Sequence, residues 1–326
     1  MASLNFFFKL AVIGCFVFGA VAKGQGLKVG YYGARCPKLE YIVKWVTSQV
    51  IHKDPTLAAP LLRMHFHDCF VRGCDGSVLL ESPNKQSEKD AIPNLSLRGF
   101  EVIDQVKAAV EKACPNVVSC ADILALVARD VTFEILGPFW EVELGRKDGK
   151  VSILTEALIN LLPPFANIST LIQGFQQRGL NVKDLVVLSG SHTIGVSHCS
   201  SFNNRLYNFN GKNGASDPTL DPAYVVQLKK KCPPGDQNTI VEMDPGSSLK
   251  FDVSYFTLVS KNRGLFQSDA ALLNNKVTRD YLTYQSIKYG PTFFKDFGDS
   301  MVKMGRIGVL TGKYAGEIRK VCTKVN

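Results

Sequence analysis

The residues from Arg63 to Ser77 place the strongest constraint on how this chain of 326 residues can fold. They follow an apolar run and include two histidines, two aspartates and two cysteines. If Leu57–Asp68 is helical, Arg63 and His67 are four residues apart and lie on one face. His65 then lies about 200° round the helix from His67. One helix therefore cannot offer both histidines to one metal ion, and the pattern predicts a base, His67, beside a fixed cation, Arg63.

Oxygen donors follow this helix closely, at Asp68, Asp75 and Ser77. Polar groups are costly to place beside apolar residues unless they are paired or functional. The cluster therefore indicates a functional site. The alternative is that the histidines belong to an ordinary core and lie beside a chance disulfide.

A secretory signal is predicted at the amino terminus. Residues Phe6 to Ala22 are apolar except for Lys9 and end in small residues, which is typical of a cleaved signal peptide. A membrane anchor is the alternative, but the run is short for a span of about 20 residues. We expect a signal peptide over 1–22, with cleavage as late as 24, and one domain over 23–326.

Nine cysteines are present, and Cys15 lies within the predicted signal. The other eight form an even set, which in a secreted chain predicts four disulfides, although the sequence alone leaves 105 pairings open. They include no Cys-x-x-Cys pair, so a zinc or redox motif is disfavoured.

The chain is basic, with a formal charge of +9, and removal of residues 1–22 takes away only Lys9, which leaves +8. This charge favours acidic polysaccharide as a partner. Nucleic acid is not expected as a partner, because the basic residues are dispersed and form no binding motif. A solvated surface without a partner is the alternative.

Helical periodicity dominates the chain, and strand-like alternation is rare. A predominantly α-helical fold with one small hairpin follows. Asp54 and Pro55 are typical of a helix start, and Pro60 should bend the helix that they begin. The predicted helical stretches are 41–51, 99–112, 119–136, 168–178, 184–189 and 292–305, and a loop is predicted over 208–222. In the last helix Phe293, Phe294, Phe297, Met301 and Met304 are predicted core.

A second histidine, His192, stands where an apolar helix meets glycines. Alone it fits a core residue, but paired with His67 it could bind a metal cofactor on the side opposite the base. A ligating histidine usually donates its other ring N–H to a carboxylate. Asp269, in an otherwise apolar segment, is the best candidate for that acceptor.

Three motifs carry a resemblance to a known family: Arg63–Ser77, Val118–Leu124 and Leu188–Gly195. In this order they closely resemble the distal, central-helix and proximal motifs of the secreted plant haem peroxidases (class III). The resemblance runs from about Leu27 to Cys322. It implies an all-α, two-lobed fold with haem between a distal and a proximal lobe.

The resemblance also implies a role for each matching residue. His192 would bind the haem iron and Asp269 would accept its other ring proton. On the distal side His67 would be the base, Arg63 the stabilising cation, Asn94 the acceptor that fixes the His67 tautomer, and Phe66 a shield for the haem. Asp122 and Arg146 would form a buried structural ion pair.

Two calcium sites and four disulfides are implied in the same way. The distal calcium would be bound by Asp68, Val71, Gly73, Asp75 and Ser77, with Glu88 linking it to the haem pocket. The proximal calcium would be bound by Thr193, Asp244, Ser247, Lys250 and Asp252, and both sets offer the oxygen ligands that calcium prefers. The disulfides would be Cys36–Cys114, Cys69–Cys74, Cys120–Cys322 and Cys199–Cys232.

The implied enzyme binds one haem b and two calcium ions per chain, reduces hydrogen peroxide to water, and oxidises two phenolic donors by one electron each. It would be a monomer without a membrane span in its mature form, delivered to the apoplast or cell wall. One departure concerns specificity: Leu162 stands where many relatives have a proline in a substrate-associated stretch. Of two glycosylation sequons, at Asn94 and Asn167, we expect sugar only on Asn167.

Two rival hypotheses stay open at this stage. One is a non-haem metal hydrolase that uses His65, His67 and Asp68, which the helix geometry disfavours. The other is a catalytically silent, basic wall-binding protein that keeps the fold. Retention of Arg63 and His192 together with Asn94 argues against the second, because binding a polysaccharide needs none of them.

Overall fold

The computed structural model describes residues 26–326. The predicted signal peptide and its cleavage site lie outside these residues. The described part is predominantly helical, as predicted. Its α-helices are α1 (Leu39–Lys53), α2 (Ala58–Val71), α3 (Phe100–Ala113), α4 (Cys120–Glu134), α5 (Leu154–Asn160), α6 (Ile168–Gln176), α7 (Val182–Ser189), α8 (Asn203–Leu206), α9 (Pro222–Lys231), α10 (Ser254–Ser260), α11 (Gln267–Ala271), α12 (Lys276–Ile287) and α13 (Phe293–Met304).

Helix α4 forms the centre of the larger apolar core. Its residues are buried from Cys120 to Thr132 on every face, and its buried charged residues, Asp122, Arg129 and Asp130, are all ion-paired. Ser119 caps its amino terminus by accepting a hydrogen bond from the Asp122 amide at 3.1 Å. Helices α1 and α2 pack directly against α4. The stretch that begins at Arg63 therefore lies on a helix packed against the centre of the core.

A second, smaller apolar cluster lies after the proximal motif. It packs Phe202, Leu206, Leu228 and Phe266 around the Cys199–Cys232 disulfide. Two strands border it, β1 (Val196–His198) and β2 (Ile240–Glu242), which pair antiparallel with Ser197 opposite Val241. The predicted hairpin is therefore a pairing of strands distant in sequence, because α8 and α9 lie between them.

Four disulfides join the eight cysteines of the described residues in the same pairs that the family resemblance implies. These are Cys36–Cys114, Cys69–Cys74, Cys120–Cys322 and Cys199–Cys232. Cys120–Cys322 ties the carboxyl-terminal segment to the start of α4, across 202 residues of sequence.

Asp54 is a helix cap with Pro55 at the first position, as predicted, but the extent of that helix and the burial of Phe294 were predicted wrongly. Asp54 caps a short 3-10 turn, Pro55–Leu57, and α2 begins only at Ala58. Pro60 therefore lies in the first turn of α2, where its missing N–H costs no helical hydrogen bond. Phe294, predicted to be core, is 38% exposed. Its ring contacts the edges of the buried Phe251 and Phe293 rings but is not enclosed as Phe293 and Phe297 are.

Within residues 26–326, the helices are too short or too polar for any of them to span a lipid bilayer.

Candidate active site

Helix α2 presents Arg63 and His67 on one face, as the four-residue spacing predicts. The Arg63 Nε donates to the His67 Nε2 at 3.0 Å. The rest of the guanidinium donates to the Pro93 carbonyl at 2.6 Å and to the Ser96 hydroxyl at 2.9 Å. These contacts fix the cation beside the imidazole.

The hydrogen bonds of His67 define where its proton lies. Because a guanidinium can only donate, Nε2 of His67 must accept, and the ring proton is therefore on Nδ1. That Nδ1 contacts the Asn94 Oδ1. The Asn94 amide is oriented in turn, because its Nδ2 donates to the Glu88 carbonyl at 2.7 Å. Burial, followed by the positive charge of Arg63, holds the pKa of His67 well below its usual range. The imidazole is thus an unprotonated base at Nε2.

His65 is separated from this base, as the helix geometry predicts. Its ring lies 3.7 Å from the Cys69 sulfur and is buried. Burial and the nearby Arg146 lower its pKa to about 3. Among the histidine, cysteine, aspartate and glutamate side chains of residues 26–326, His65, Cys69 and Cys74 are the one set of three whose ligand atoms all lie within 4.8 Å of one another. Both sulfurs are used in a disulfide, however. No arrangement of His65, His67 and Asp68 around one ion exists here, so the hydrolase hypothesis has no structural support.

Phe66 follows His65 in α2 and is partly buried. Its ring centre lies 5.6 Å from that of His67 and 4.2 Å from that of Phe70. An apolar ring therefore stands next to the base.

The proximal histidine lies on a short 3-10 turn, Gly190–Thr193, that follows α7. His192 Nδ1 lies 2.8 Å from the Asp269 Oδ1. Asp269 is the third residue of α11, and its Oδ2 accepts from the Phe266 amide at 2.8 Å. Burial raises the pKa of Asp269, but the His192 charge and these hydrogen bonds outweigh it, and the net shift is downward. A carboxylate thus faces the imidazole, as predicted.

The two motifs are brought together by a close approach of backbone. Gly195 has a φ of +90°, and a Cβ at this position would lie 2.7 Å from the Ala59 Cβ at the start of α2. Only glycine accommodates both conditions. The loop that follows His192 therefore lies directly against the helix that carries His67.

A buried cluster of oxygen atoms lies at the end of α2. Asp68 accepts hydrogen bonds from the Gly76 and Val78 amides. Burial and the neighbouring Asp75 raise the pKa of Asp68 well above its usual range. Burial, with Asp68 next, raises the pKa of Glu88 to about 9. The Ser77 hydroxyl and both Glu88 oxygens are buried without a hydrogen-bond partner.

A second oxygen cluster follows His192 directly. Thr193 donates to Asp244 at 3.2 Å and to Asp252 at 3.0 Å, and Ser247 donates to Asp252 at 2.5 Å. Burial and the nearby Asp252 raise the pKa of Asp244 to about 7. Lys250 lies within the same loop, and its amide donates to the Ser247 carbonyl at 2.9 Å.

Comparison with known proteins identifies this arrangement. The family model described as Peroxidase matches residues 43–286. The chain is 62% identical to Peroxidase 27 of Arabidopsis thaliana over 321 residues, covering 98% of this chain and 99% of the relative. Peroxidase 56 of the same plant is 61% identical, with 99% and 98% covered. Peroxidase 1 of Oryza sativa subsp. japonica is 54% identical, with 94% and 95% covered.

The chain belongs to the peroxidase family. It is a plant peroxidase of class III, an enzyme that reduces hydrogen peroxide and oxidises phenolic donors. The family implies a haem and typically calcium.

The residues present fit both groups. His192 is one-third exposed, and among residues 26–326 its Nε2 has no hydrogen-bond partner, as an iron ligand requires. The distal oxygen cluster combines two buried aspartates with an unpartnered hydroxyl and an unpartnered glutamate. Such a set is stabilised by a hard divalent cation.

The structure also describes the predicted Asp122–Arg146 ion pair and the position of Leu162. Arg146 Nη1 contacts the Asp122 Oδ1 at 2.8 Å, and both side chains are buried. Leu162 is partly buried and packs on the apolar core. A Cβ on Gly174 would lie 2.6 Å from its Cδ2, so Leu162 points toward α6.

The sequence argument missed three groups that complete the peroxidase site. The Pro93 carbonyl and the Ser96 hydroxyl anchor Arg63. The Tyr255 hydroxyl donates to the Asp269 Oδ1 at 3.0 Å. None of these three contacts follows a sequence period. The one available signal was the apolar environment of Tyr255 in α10, where a buried hydroxyl needs an acceptor.

Proposed function

We propose that this peroxidase holds one haem b between His67 and His192 and acts outside the cell. The observation that carries the proposal is the chain of hydrogen bonds from Arg63 through His67 to Asn94. Because it places the only ring proton on Nδ1, the His67 Nε2 is unprotonated, as a base must be.

On the distal side, His67 takes a proton from one oxygen of hydrogen peroxide and delivers it to the other. The oxygen that receives the proton leaves as water. Arg63 stabilises the negative charge that develops on the departing oxygen. Asn94 keeps the Nδ1 proton in place throughout, so Nε2 alone exchanges protons. Phe66 covers the reacting centre against direct attack.

On the proximal side, His192 would bind the iron through Nε2, while Asp269 accepts the hydrogen bond from its Nδ1–H. The bound haem supplies the two-electron cleavage of peroxide and the one-electron oxidation of two phenolic donors. With haem bound, the Asp269 carboxylate would strengthen electron donation from His192 to the iron, which would favour the higher oxidation states.

Two calcium ions complete the proposal. Asp68, Asp75, Ser77 and the carbonyls of Val71 and Gly73 bind the distal ion, and Glu88 links it to the distal pocket. Thr193, Asp244, Ser247, Asp252 and the Lys250 carbonyl bind the proximal ion. The two sites clamp the chain immediately after His67 and immediately after His192.

The disulfides and the positive charge of the enzyme support an extracellular location. Four disulfides are typical of an extracellular protein, and a basic surface favours acidic wall polysaccharide. Asn167 is exposed, and its Oδ1 accepts the Thr170 amide at 2.9 Å. Asn94 is buried. We therefore propose a monomeric wall peroxidase with sugar on Asn167.

The test compares two histidines of the same helix. In His67→Ala, the rate constant for reaction with peroxide should fall by about 10²–10⁴-fold, the usual contribution of a positioned base, while the haem absorption band is retained. His65→Gln is the matched control and should react within about threefold of wild type, since His65 packs on a disulfide. Equal rates for His67→Ala and wild type in stopped-flow measurements would remove the base assignment.

A further inference from the structure

Asp269 accepts three hydrogen bonds, and two of them converge on one oxygen. Its Oδ1 lies 2.8 Å from the His192 Nδ1 and 3.0 Å from the Tyr255 hydroxyl. Its Oδ2 accepts the Phe266 amide at 2.8 Å. The acceptor of the proximal histidine is thus shared with a tyrosine.

The direction of the Tyr255 hydrogen bond is unambiguous. An ionised carboxylate can only accept, so the phenol donates. Tyr255 is 2% exposed, and burial, followed by the Asp269 charge, holds its pKa well above the usual range. The phenol therefore keeps its proton and remains a donor.

A carboxylate oxygen that accepts a second hydrogen bond becomes a weaker acceptor for the first. A donor to a carboxylate forms a charge-assisted hydrogen bond and withdraws electron density from the oxygen. An oxygen that accepts from Tyr255 attracts the His192 Nδ1 proton less strongly than one that does not. His192 then keeps more neutral-imidazole character and less imidazolate character.

We propose that Tyr255 is a positioning residue that sets the reduction potential of this peroxidase by limiting how strongly Asp269 polarises His192. The inference rests on the proposed function, in which His192 binds the haem iron. Imidazolate character stabilises ferric over ferrous iron, so loss of the phenol hydroxyl lowers the potential.

Tyr255→Phe isolates the hydroxyl. The ring of Tyr255 lies edge-on, 6.0 Å from the His192 ring, and 5.5 Å from that of Phe256. Phenylalanine keeps this packing and removes only the donor. In the haem-loaded protein, the ferric–ferrous equilibrium should move about tenfold toward ferric, equal to about 59 mV for a one-electron couple. The iron–histidine stretching frequency of the ferrous form should rise in resonance Raman spectra.

Tyr281→Phe is the matched control. The Tyr281 hydroxyl also donates to a carboxylate, Asp296, at 2.9 Å, and its ring also packs on Phe256 at 5.9 Å. It lies away from His192, so its loss should leave both the potential and the stretching frequency at the wild-type values. A loss of packing alone would not raise the iron–histidine frequency.

Two results would overturn the inference: an unchanged potential and frequency in Tyr255→Phe, or equal shifts in Tyr255→Phe and Tyr281→Phe. Failure of the proposed function looks different. In that case the wild-type protein would itself lack an iron–histidine band, or the band would persist in His192→Ala.

Discussion

The two sides of the site use the same side chain with opposite partners. The Nδ1–H of distal His67 donates a hydrogen bond to a neutral amide, Asn94, whereas that of proximal His192 donates to a carboxylate, Asp269. Arg63 stands beside the first imidazole, and no cation contacts the second among residues 26–326. Burial and the Arg63 cation keep the His67 imidazole weakly basic beside its neutral amide partner, which suits it to exchange protons in the proposed function. The carboxylate accepts the Nδ1–H of the second imidazole, which in the proposed function leaves Nε2 to hold the metal. The partner, more than the histidine, sets the role.

The largest effect should come from giving the distal histidine the proximal partner. Asn94→Asp places a carboxylate beside His67 and raises its pKa from a value now well below the usual range. Below a raised pKa the base is protonated and inactive, so the rate falls as the pH drops. At pH 6 the peroxide rate constant should fall by about 10–100-fold, with partial recovery at pH 8. Stopped-flow profiles of wild type and Asn94→Asp would reveal the shift, and identical profiles would break the comparison.

Calcium removal should affect the two sides unequally. The distal cluster contains Ser77 and Glu88 oxygens without hydrogen-bond partners. In the proximal cluster, Asp252 already accepts hydrogen bonds from the Thr193 and Ser247 hydroxyls. Chelation should therefore lower the peroxide rate severalfold and leave the iron–histidine stretch within error of the untreated protein. Rate and Raman measurements on one chelated sample decide this, and readdition of calcium is the control. A shifted iron–histidine frequency with an unchanged peroxide rate would show that calcium matters more on the proximal side than on the distal side.

The smallest effect should come from Leu162, which lies outside both hydrogen-bond chains. Because its side chain points toward Gly174 in α6, Leu162→Pro should change the relative rates for several phenols by less than about twofold. Steady-state kinetics with those phenols would check this. A reordering of donor preference would show that Leu162 contributes to specificity after all.

Much of this comparison could be predicted from local sequence. Because helical geometry is periodic, the four-residue spacing predicted that Arg63 and His67 share one face of α2 and that His65 lies on another. The helices also followed from periodicity, although their ends did not: Pro60 lies in a first turn because a 3-10 turn delays the start of α2. Phe294 was misplaced because neighbouring phenylalanines in one helix cannot all face the core.

Other features depend on tertiary contacts that no spacing encodes. The strand pairing of Ser197 with Val241 spans two helices. The donation of Tyr255 to the oxygen already used by His192 is visible only when α10 and α11 are packed together. Asn94 and Asp269 were found through the family resemblance and a lone carboxylate, respectively, and their exact hydrogen-bond geometry came from the fold.

The most direct test of the account is the midpoint reduction potential of the two partner exchanges, measured on haem-loaded protein. Asp269→Asn replaces the carboxylate by an amide, so the ferric–ferrous equilibrium should move about tenfold toward ferrous, a rise of about 59 mV. Asn94→Asp should move the potential by much less, because in the proposed function His67 exchanges protons and does not bind the iron. An unchanged potential in Asp269→Asn, or equal shifts in the two variants, would contradict the claim that the hydrogen-bond partner sets the role of each histidine.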